Sequence, residues 1–251
     1  MSSEVLLFNN VTSGGGDTPA PTATLITDSL YTHLDSYDII RKRWDDRMGH
    51  YNFVSDVSFG LTTTVYNLRC EKVLRDYKMA YCNSFKFGAF PFTLEFTVVI
   101  SSAQSLATLC SCTTLSKFKI CCNGDNHLGM YSTNASPKEV KGLIPVSSIT
   151  DNSLHVIDYV FVSSGKLLAY LDGVLIATTN STAFSSNMLS QTGFQLGATD
   201  DVFTGYLYSF RFYKKELSEY EIRCNCLYEA TQERTDASSD TEQSYFLEKW
   251  N

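Results

Sequence analysis

The clearest periodic segment of the chain lies near its middle. Residues 92–100 alternate between apolar and polar side chains, and the polar members near the start are Thr93, Glu95 and Thr97. This alternation predicts a β-strand with its apolar face in the core and its polar face towards solvent. Residues 154–162 are apolar on both faces, which predicts a strand that is covered on both sides.

Shorter strand signals occur further along the chain. Residues 166–171 and 174–178 flank Asp172-Gly173, a dipeptide that is typical of a tight hairpin turn. Residues 194–197 and 206–213 predict two further strands. Many short strands with turn signals between them indicate an all-β sandwich.

One short helix is predicted near the carboxyl end. Ser218 and Glu221 form an S-x-x-E capping box, in which each side chain accepts a hydrogen bond from the other residue's backbone amide. Leu217 and Ile222 flank this box as a hydrophobic staple. We expect the helix to run to about Tyr228.

The pattern divides the chain into three parts. Residues 1–24 contain an apolar, a Gly-rich and a Pro-spaced stretch, which is typical of an arm or linker. Residues 25–230 hold the predicted strands and helix and are expected to form one domain. Residues 231–251 form an acidic tail that ends in aromatic residues. The apolar groups of the two ends are candidates for docking onto a partner, because aromatic anchors bury a large area: Leu6, Leu7, Phe8, Tyr245, Phe246 and Trp250. The alternative for the aromatic end is packing on its own domain.

Composition and charge limit the possible partners. The chain has 251 residues, of which 43% are hydrophobic and 13% aromatic, so it is not a disordered chain. Its 20 basic and 27 acidic residues argue against a duplex nucleic-acid surface. No apolar run approaches the ~18 residues of a membrane span, and the first ten residues do not resemble a signal peptide. We therefore expect neither nucleic acid nor membrane as a partner.

The cysteines favour a reducing compartment. There are eight, in C-x-C and C-C spacings that lack the C-x2-C knuckles of zinc sites. The favoured interpretation is free thiols that serve as small apolar side chains. A metal site, or a disulfide that joins Cys110 or Cys112 to Cys121 or Cys122, stays open as an alternative.

Two segments carry a resemblance to a known family. Residues 154–173 resemble the "strand, turn, L-x-L-Y-V-D-G" hairpin of concanavalin A-like lectin/glucanase domains, the laminin G-like group. Residues 205–222 resemble that family's closing pattern, G-x-I-x-x-V-R-I-Y-x-R-x-L-S-x-x-E-I, with a bulge expected at Tyr208 and Ser209. More weakly, the segment from Trp44 is similar to the family's W-x-D-x-S-G-x-G-N. The resemblance covers residues 25–230 and implies a jelly-roll sandwich of two antiparallel sheets.

No catalytic constellation accompanies this resemblance. Glucanases on this scaffold use an E-x-D-x-(x-)E strand, whose carboxylates straddle the glycosidic bond. Glu95 stands alone on its strand, so we expect no enzyme; a divergent glycoside hydrolase is the minority alternative. No cofactor is predicted, with calcium retained as an alternative at the loop acids. The candidate glycan-binding residues combine amides, carboxylates and aromatic rings: Asn126, His127, Tyr131, Asp200 and Asp201.

The sequence thus favours a non-catalytic protein that displays a lectin-like domain. Stand-alone domains of this type resemble the decoration, fibre or adhesion components of large tailed phages. We therefore expect a virion component that is assembled in the host cytoplasm, docks onto other structural proteins through its ends and binds glycans. The alternatives are a stand-alone cytoplasmic lectin and a homo-oligomer.

Overall fold

The computed structural model describes residues 19–40, 43–55, 80–103, 107–112, 118–131, 139–180, 192–197, 203–232 and 239–250. These ranges contain fourteen strands: β1 (Leu30–Ile40), β2 (Arg43–Asp46), β3 (Phe53–Val54), β4 (Ala80–Cys82), β5 (Phe92–Ala103), β6 (Thr108–Ser111), β7 (Lys119–Cys122), β8 (His127–Tyr131), β9 (Glu139–Pro145), β10 (Leu154–Phe161), β11 (Lys166–Leu171), β12 (Val174–Asn180), β13 (Phe194–Leu196) and β14 (Phe203–Tyr213). A 3-10 turn covers Val146–Ser148, and two helices, α1 (Glu219–Ala230) and α2 (Ser239–Lys249), follow β14.

The strands form two packed sheets that share one continuous order. That order is β12-β11-β10-β5-β14-β1-β2-β3-β4-β13-β6-β7-β8-β9, with every pair antiparallel. We call the half from β12 to β1 the rear sheet and the half from β2 to β9 the front sheet. They are joined by the β1–β2 pair, and at the opposite side β9 contacts β12. The predicted jelly-roll sandwich of two antiparallel sheets is confirmed.

The core lies between the two sheets and is rich in phenylalanine. Phe210 of the rear sheet lies 5.3 Å, between ring centroids, from Phe194 of the front sheet and 6.2 Å from Phe53. All three side chains are fully buried. Each strand sends alternate residues into this cluster, so its remaining residues point to the outer faces of the sandwich.

The outer face of the rear sheet is covered by α1, which corrects one expectation. Thr93, Glu95 and Thr97 were expected to meet solvent, but all three are fully buried. The chain that leads into α1 and the helix itself pack over this face and satisfy the polar groups. The Leu217 amide donates to Thr93 Oγ1, and Asn225 Nδ2 donates to Glu95 Oε2 over 2.6 Å. Alternation alone therefore predicted the strand but not what covers its second face.

The predicted helix start is present with both halves of its capping box. The Glu221 amide donates to Ser218 Oγ, and the Ser218 amide donates to Glu221 Oε2. Leu217 and Ile222 are both buried under the helix, as a staple requires. The register of β14 shifts between Leu207 and Ser209, which confirms the expected bulge.

The segment that starts at Trp44 is organised by one carboxylate. Trp44 is fully buried, and its indole donates to the Asp35 carbonyl. The Asp46 carboxylate accepts four backbone amides and so fixes the turn after β2: those of His33, Met48, His50 and Tyr51.

The described cysteines are free thiols. Seven of the eight lie in the described ranges, and each is buried and unbridged. Burial raises the pKa of the Cys112 and Cys122 thiols to about 12, so both stay protonated at neutral pH. The disulfide between Cys110 or Cys112 and Cys121 or Cys122 is not formed.

The aromatic end forms a helix that was not predicted, α2, which packs on its own domain. Phe246 is fully buried in a second apolar cluster, together with α1 residues such as Ile222. The Trp250 indole donates to the Asp172 carbonyl over 2.7 Å. Of the two interpretations of this end, the structure shows packing on the domain. Docking of Phe246 onto a partner would require α2 to detach. The other docking candidates, Leu6, Leu7 and Phe8, lie outside the described residues.

Candidate functional site

Polar side chains form two rows across the sandwich, one on each outer face. The first row lies on the rear sheet, where strand register aligns Asp158, Glu95, Arg211 and His33 on β10, β5, β14 and β1. All four are buried beneath α1, with His33 the most exposed at 2%. The guanidinium of Arg211 pairs with Glu95 and with Glu229 of α1, and its Nε donates to His33 Nε2 over 3.3 Å.

This buried row contains the carboxyl pair that the sequence analysis did not find. Glu95 has no carboxyl neighbour on its own strand, but Asp158 faces it across the β5–β10 pair. Burial, reinforced by the charge of Glu95, raises the pKa of Asp158 well above its ordinary value of 3.8. Two neighbouring carboxyl groups, one of which has a raised pKa, resemble the carboxyl pair of an acid–base catalyst. Because both are fully buried, neither can reach a glycosidic bond.

A second polar cluster fastens α2 to the β11–β12 hairpin. Asp172, at the tip of this hairpin, is fully buried and accepts hydrogen bonds from Lys249 Nζ and, over 3.3 Å, from the Tyr245 hydroxyl. His155 Nδ1 lies 2.9 Å from the same Asp172 oxygen, and its Nε2 lies 2.9 Å from Asp151 Oδ1. His155 thus has a structural position between two carboxylates.

The second row crosses the outer face of the front sheet. Register places Tyr81 of β4 beside Gln195 of β13, Gln195 beside Ser111 of β6, Ser111 beside Lys119 of β7, and Lys119 beside Tyr131 of β8. We call these five residues the front row. Their strand neighbours, such as Ile120 and Met130, belong to the core, so the front row points away from it. Four members are half-buried and Ser111 is 6% exposed.

The front row has an aromatic ring at each end and polar groups between. Four interstrand steps of ~4.8 Å separate Tyr81 from Tyr131, or about 19 Å. An amide, a hydroxyl and an ammonium group lie between the two phenol rings. Lys119 Nζ lies 5.5 Å from the centroid of the Tyr131 ring, within cation–π range. Rings that can stack on sugar faces and donors that can bind hydroxyl groups are thus aligned across five strands.

The structure divides the predicted glycan-binding residues into three groups. Tyr131 belongs to the front row. His127 points to the same side of β8 but lies four residues away, about 13 Å along the strand. Asn126 precedes it in the turn between β7 and β8. Asp200 and Asp201 lie outside the described residues. Sequence reasoning missed Tyr81, Gln195, Ser111 and Lys119, since only strand register brings them together.

The turn that carries Asn126 and His127 is rigid. The Asn126 backbone has φ +64°, its amide donates to the Asn123 carbonyl over 2.9 Å, and its carbonyl accepts the Val146 amide over 3.0 Å. Asp125 accepts the His127 amide through Oδ1 and the Gly142 amide through Oδ2. His127 Nδ1 lies 2.9 Å from the Asp125 carbonyl oxygen, so the neutral ring keeps its proton on Nδ1 and presents Nε2 as an acceptor.

The described ranges contain neither a metal-binding cluster nor a membrane-spanning helix. No three His, Cys, Asp or Glu side chains there are placed to hold a metal ion. Calcium stays an untested alternative, because Asp200 and Asp201 lie outside these ranges. Neither described helix has the length and apolar character of a membrane-spanning segment.

Comparison with known families agrees with this architecture. A family described as "Concanavalin A-like lectin/glucanases superfamily" matches residues 77–223. The chain belongs to this superfamily. A search of curated proteins found no match.

Several solved structures share the lectin-like fold at low sequence identity. One is the ligand-binding domain of botulinum neurotoxin serotype D in complex with N-acetylneuraminic acid, with a TM-score of 0.58 and 18% identity over 80% of this chain and 51% of that one. Another is a Trypanosoma rangeli sialidase in complex with a difluorinated sugar acid, with a TM-score of 0.57 and 14% identity over 90% of this chain and 36% of that one. The chain therefore spans only part of these proteins.

One similar structure has nearly the same extent as this chain. It is domain 4 of a GH43 extracellular arabinanase from Geobacillus stearothermophilus, in complex with arabinotriose. The TM-score is 0.58 and the identity 13%, over 78% of this chain and 97% of that domain. At such identities these comparisons establish the fold. Binding domains and a glycosidase both occur among the similar structures.

Proposed function

We propose that this protein is a non-catalytic glycan-binding module whose site is the front row. The observation that carries this proposal is the alignment of Tyr81, Gln195, Ser111, Lys119 and Tyr131 across five register-matched strands. The arabinanase domain of the same fold and extent, whose complex holds arabinotriose, supports an oligosaccharide as the ligand class. The burial of Glu95 and Asp158 supports binding without hydrolysis.

The spacing of the front row favours an extended ligand. A single sugar can contact one tyrosine and its immediate neighbours, whereas the two rings are about 19 Å apart. A glycan chain that lies across the strands can pack against both rings and hydrogen-bond to Gln195 and Ser111 between them. We therefore expect affinity to rise with chain length until the ligand spans the row.

A glycan array followed by calorimetry tests this function. Tyr131→Ala is expected to weaken binding of the best ligand about 30-fold, because loss of a buried aromatic anchor costs ~2 kcal/mol. The matched control is Tyr220→Ala, which removes a half-buried tyrosine from α1, on the opposite outer face. If both Tyr131→Ala and Tyr81→Ala bind as the parent does, the glycan site is not the front row. A flat array with folded protein would contradict the function itself.

We further propose that this module is displayed by a virion, as a decoration, fibre or attachment component. The Gly-rich and Pro-spaced stretch before the domain supports this role, since it suits a tether. The domain's own contacts include the Ile26 amide, which donates to Asn225 Oδ1. With α2 packed on the domain, Leu6, Leu7 and Phe8 are the proposed anchor. Deletion of residues 1–18 should leave the domain folded and prevent incorporation into the parent particle; incorporation of that variant would contradict the role.

A further inference from the structure

Lys119 is the charged member of the front row, and none of the described carboxylates pairs with it. Its side chain is half-buried and its ammonium contacts the Tyr131 ring. Among the side chains that the structure describes, no carboxylate lies within salt-bridge distance of Lys119 Nζ. Taking a cation partly out of water without an anionic partner costs free energy, which a bound anion can recover.

Lys215, another half-buried lysine, has a different environment from that of Lys119. Lys215 Nζ lies 2.7 Å from Asp28 Oδ2 and 2.6 Å from Glu221 Oε1, so it has two carboxylate partners. Although burial opposes its charge, these partners raise the pKa of Lys215. Lys119 instead lies beside the Tyr131 ring on one adjacent strand and Ser111 on the other, and no described carboxylate pairs with it. These surroundings suit a lysine that binds an anionic group of a ligand.

The net charge of the chain limits how an anion could be recognised at Lys119. The chain carries a net charge of −7, which repels polyanions at long range. Long-range attraction therefore does not bring polyanions to Lys119. Recognition of an anion here would depend on close contact with one acidic group, in register with the rings and amide of the same row.

We propose that the front row takes an acidic glycan, with Lys119 binding the carboxylate or sulfate of one sugar while Tyr131 packs against a ring. This inference rests on the proposed glycan-binding function and adds the chemical class of the ligand. A carboxylated and a sulfated sugar offer the same anionic oxygens, so the experiment must separate these two sources.

The test uses a panel of matched glycan pairs that differ only in charge. The pairs are oligogalacturonides and their methyl esters, sialylated oligosaccharides and their desialylated forms, and sulfated dextran oligosaccharides and dextran. We expect binding to the charged members, with the uronic and sialic pairs reporting carboxylate and the dextran pair reporting sulfate. Duplex DNA, a polyanion without such groups, is expected not to bind.

Three variants assign the effect to Lys119. Lys119→Met keeps the apolar stem over Tyr131 and should weaken binding of the charged members about 10- to 100-fold, the typical effect of losing a hydrogen bond to a charged group. Lys119→Arg keeps the charge and should retain binding. Lys166→Met, at the exposed start of β11, is the matched control and should bind as the parent does.

The outcomes separate this inference from the proposed function. Equal binding of charged and neutral partners, or unchanged binding by Lys119→Met, would overturn the acidic-glycan inference and leave glycan binding intact. If the neutral glycans bind and Tyr131→Ala abolishes that binding, the acidic-glycan inference is overturned and the proposed glycan-binding function is supported. No binding to any member by the folded parent protein would overturn both.

Discussion

Arg211 is the residue through which the rear sheet and α1 are joined electrostatically. Its guanidinium pairs with Glu95 on β5 and Glu229 on α1, and it donates to His33 on β1. All of these side chains are buried. A buried ion pair contributes little compared with an apolar replacement, but removal of one partner leaves a buried charge without compensation. The network therefore matters most when it is broken on one side.

Arg211→Met is expected to lower the free energy of unfolding by about 3–5 kcal/mol, since two buried carboxylates lose their cation. Chemical denaturation at neutral pH measures this change. The exposed pair of Arg43 and Asp45 provides the control: Arg43→Met should cost less than ~1 kcal/mol.

A triple variant separates lost charge balance from lost packing. Arg211→Met combined with Glu95→Gln and Glu229→Gln removes the uncompensated charges while similar side-chain volumes remain. We expect part of the stability to return. If the triple variant is no more stable than Arg211→Met alone, packing around the guanidinium stem is the main contribution.

At the scale of elements, the sequence predicted those features that depend on contacts between residues close together in the chain. The capping box, the Asp172-Gly173 turn and the β14 bulge each depend on residues close in sequence, and each was predicted. The cover over the polar face of β5 was not, because it comes from α1, more than a hundred residues away. Helix α2 was missed because Ser239–Lys249 has weak apolar periodicity. Among the side chains described for this helix, Phe246 is the one that is fully buried.

The front row was beyond prediction for a related reason. Tyr81 and Gln195 are neighbours only because β4 pairs with β13, and Gln195 and Ser111 only because β13 pairs with β6. Nothing in the residues around Gln195 specifies that register. Tyr131 was named from its own loop and strand, so one of the five members was accessible to sequence reasoning.

The docking of α2 depends on a glycine in the β11–β12 turn. A Cβ added to Gly173 would lie 2.8 Å from Trp250 Nε1 and 2.9 Å from Arg223 Cγ. Gly173→Ala is therefore expected to displace Trp250 and to speed amide exchange throughout α2, while the two sheets keep their protection. Hydrogen exchange read by mass spectrometry resolves the helix from the sheets.

Gly49→Ala is a closely matched control for this experiment. Gly49 and Gly173 share a φ of +75°, so alanine has the same backbone strain at both positions. A Cβ on Gly49 meets no atom within 4 Å. Equal exchange from α2 in the two variants would show that contact between Gly173 and Trp250 does not hold the helix.

At the scale of the whole molecule, two buried histidines give opposite dependences of stability on pH. Burial disfavours the charged form of His155, but Asp172 and Asp151 outweigh this and raise its pKa above 6.5. Burial, together with Arg211, lowers the pKa of His33 below 6.5. The stability from His155 is fully present below pH 6.5 and is lost as the pH rises through its raised pKa. His33 instead removes stability as the pH falls below 6.5.

Because these contributions oppose each other, we expect the free energy of unfolding to change little with pH, and a variant of either histidine should make it depend more strongly on pH. His155→Gln should reduce stability more at pH 6 than at pH 8.5, and His33→Gln should reduce it more at pH 8.5 than at pH 6. Urea denaturation at the two pH values provides the comparison. Parallel profiles for the parent and both variants would show that neither histidine titrates differently on folding.

The order of the strands also determines when the protein can fold. Leu30, at the start of β1, pairs with Tyr213, at the end of β14, and β14 in turn lies between β1 and β5. During synthesis, β1 and β5 cannot pair with β14 until almost the entire domain has left the ribosome, although β2 and β10, their other neighbours, are made earlier. Pairings this distant in sequence are slow to form, on a scale of milliseconds to seconds. The rear sheet is therefore completed only after translation of the domain, and until then its apolar strands depend on the surrounding cell for protection from aggregation.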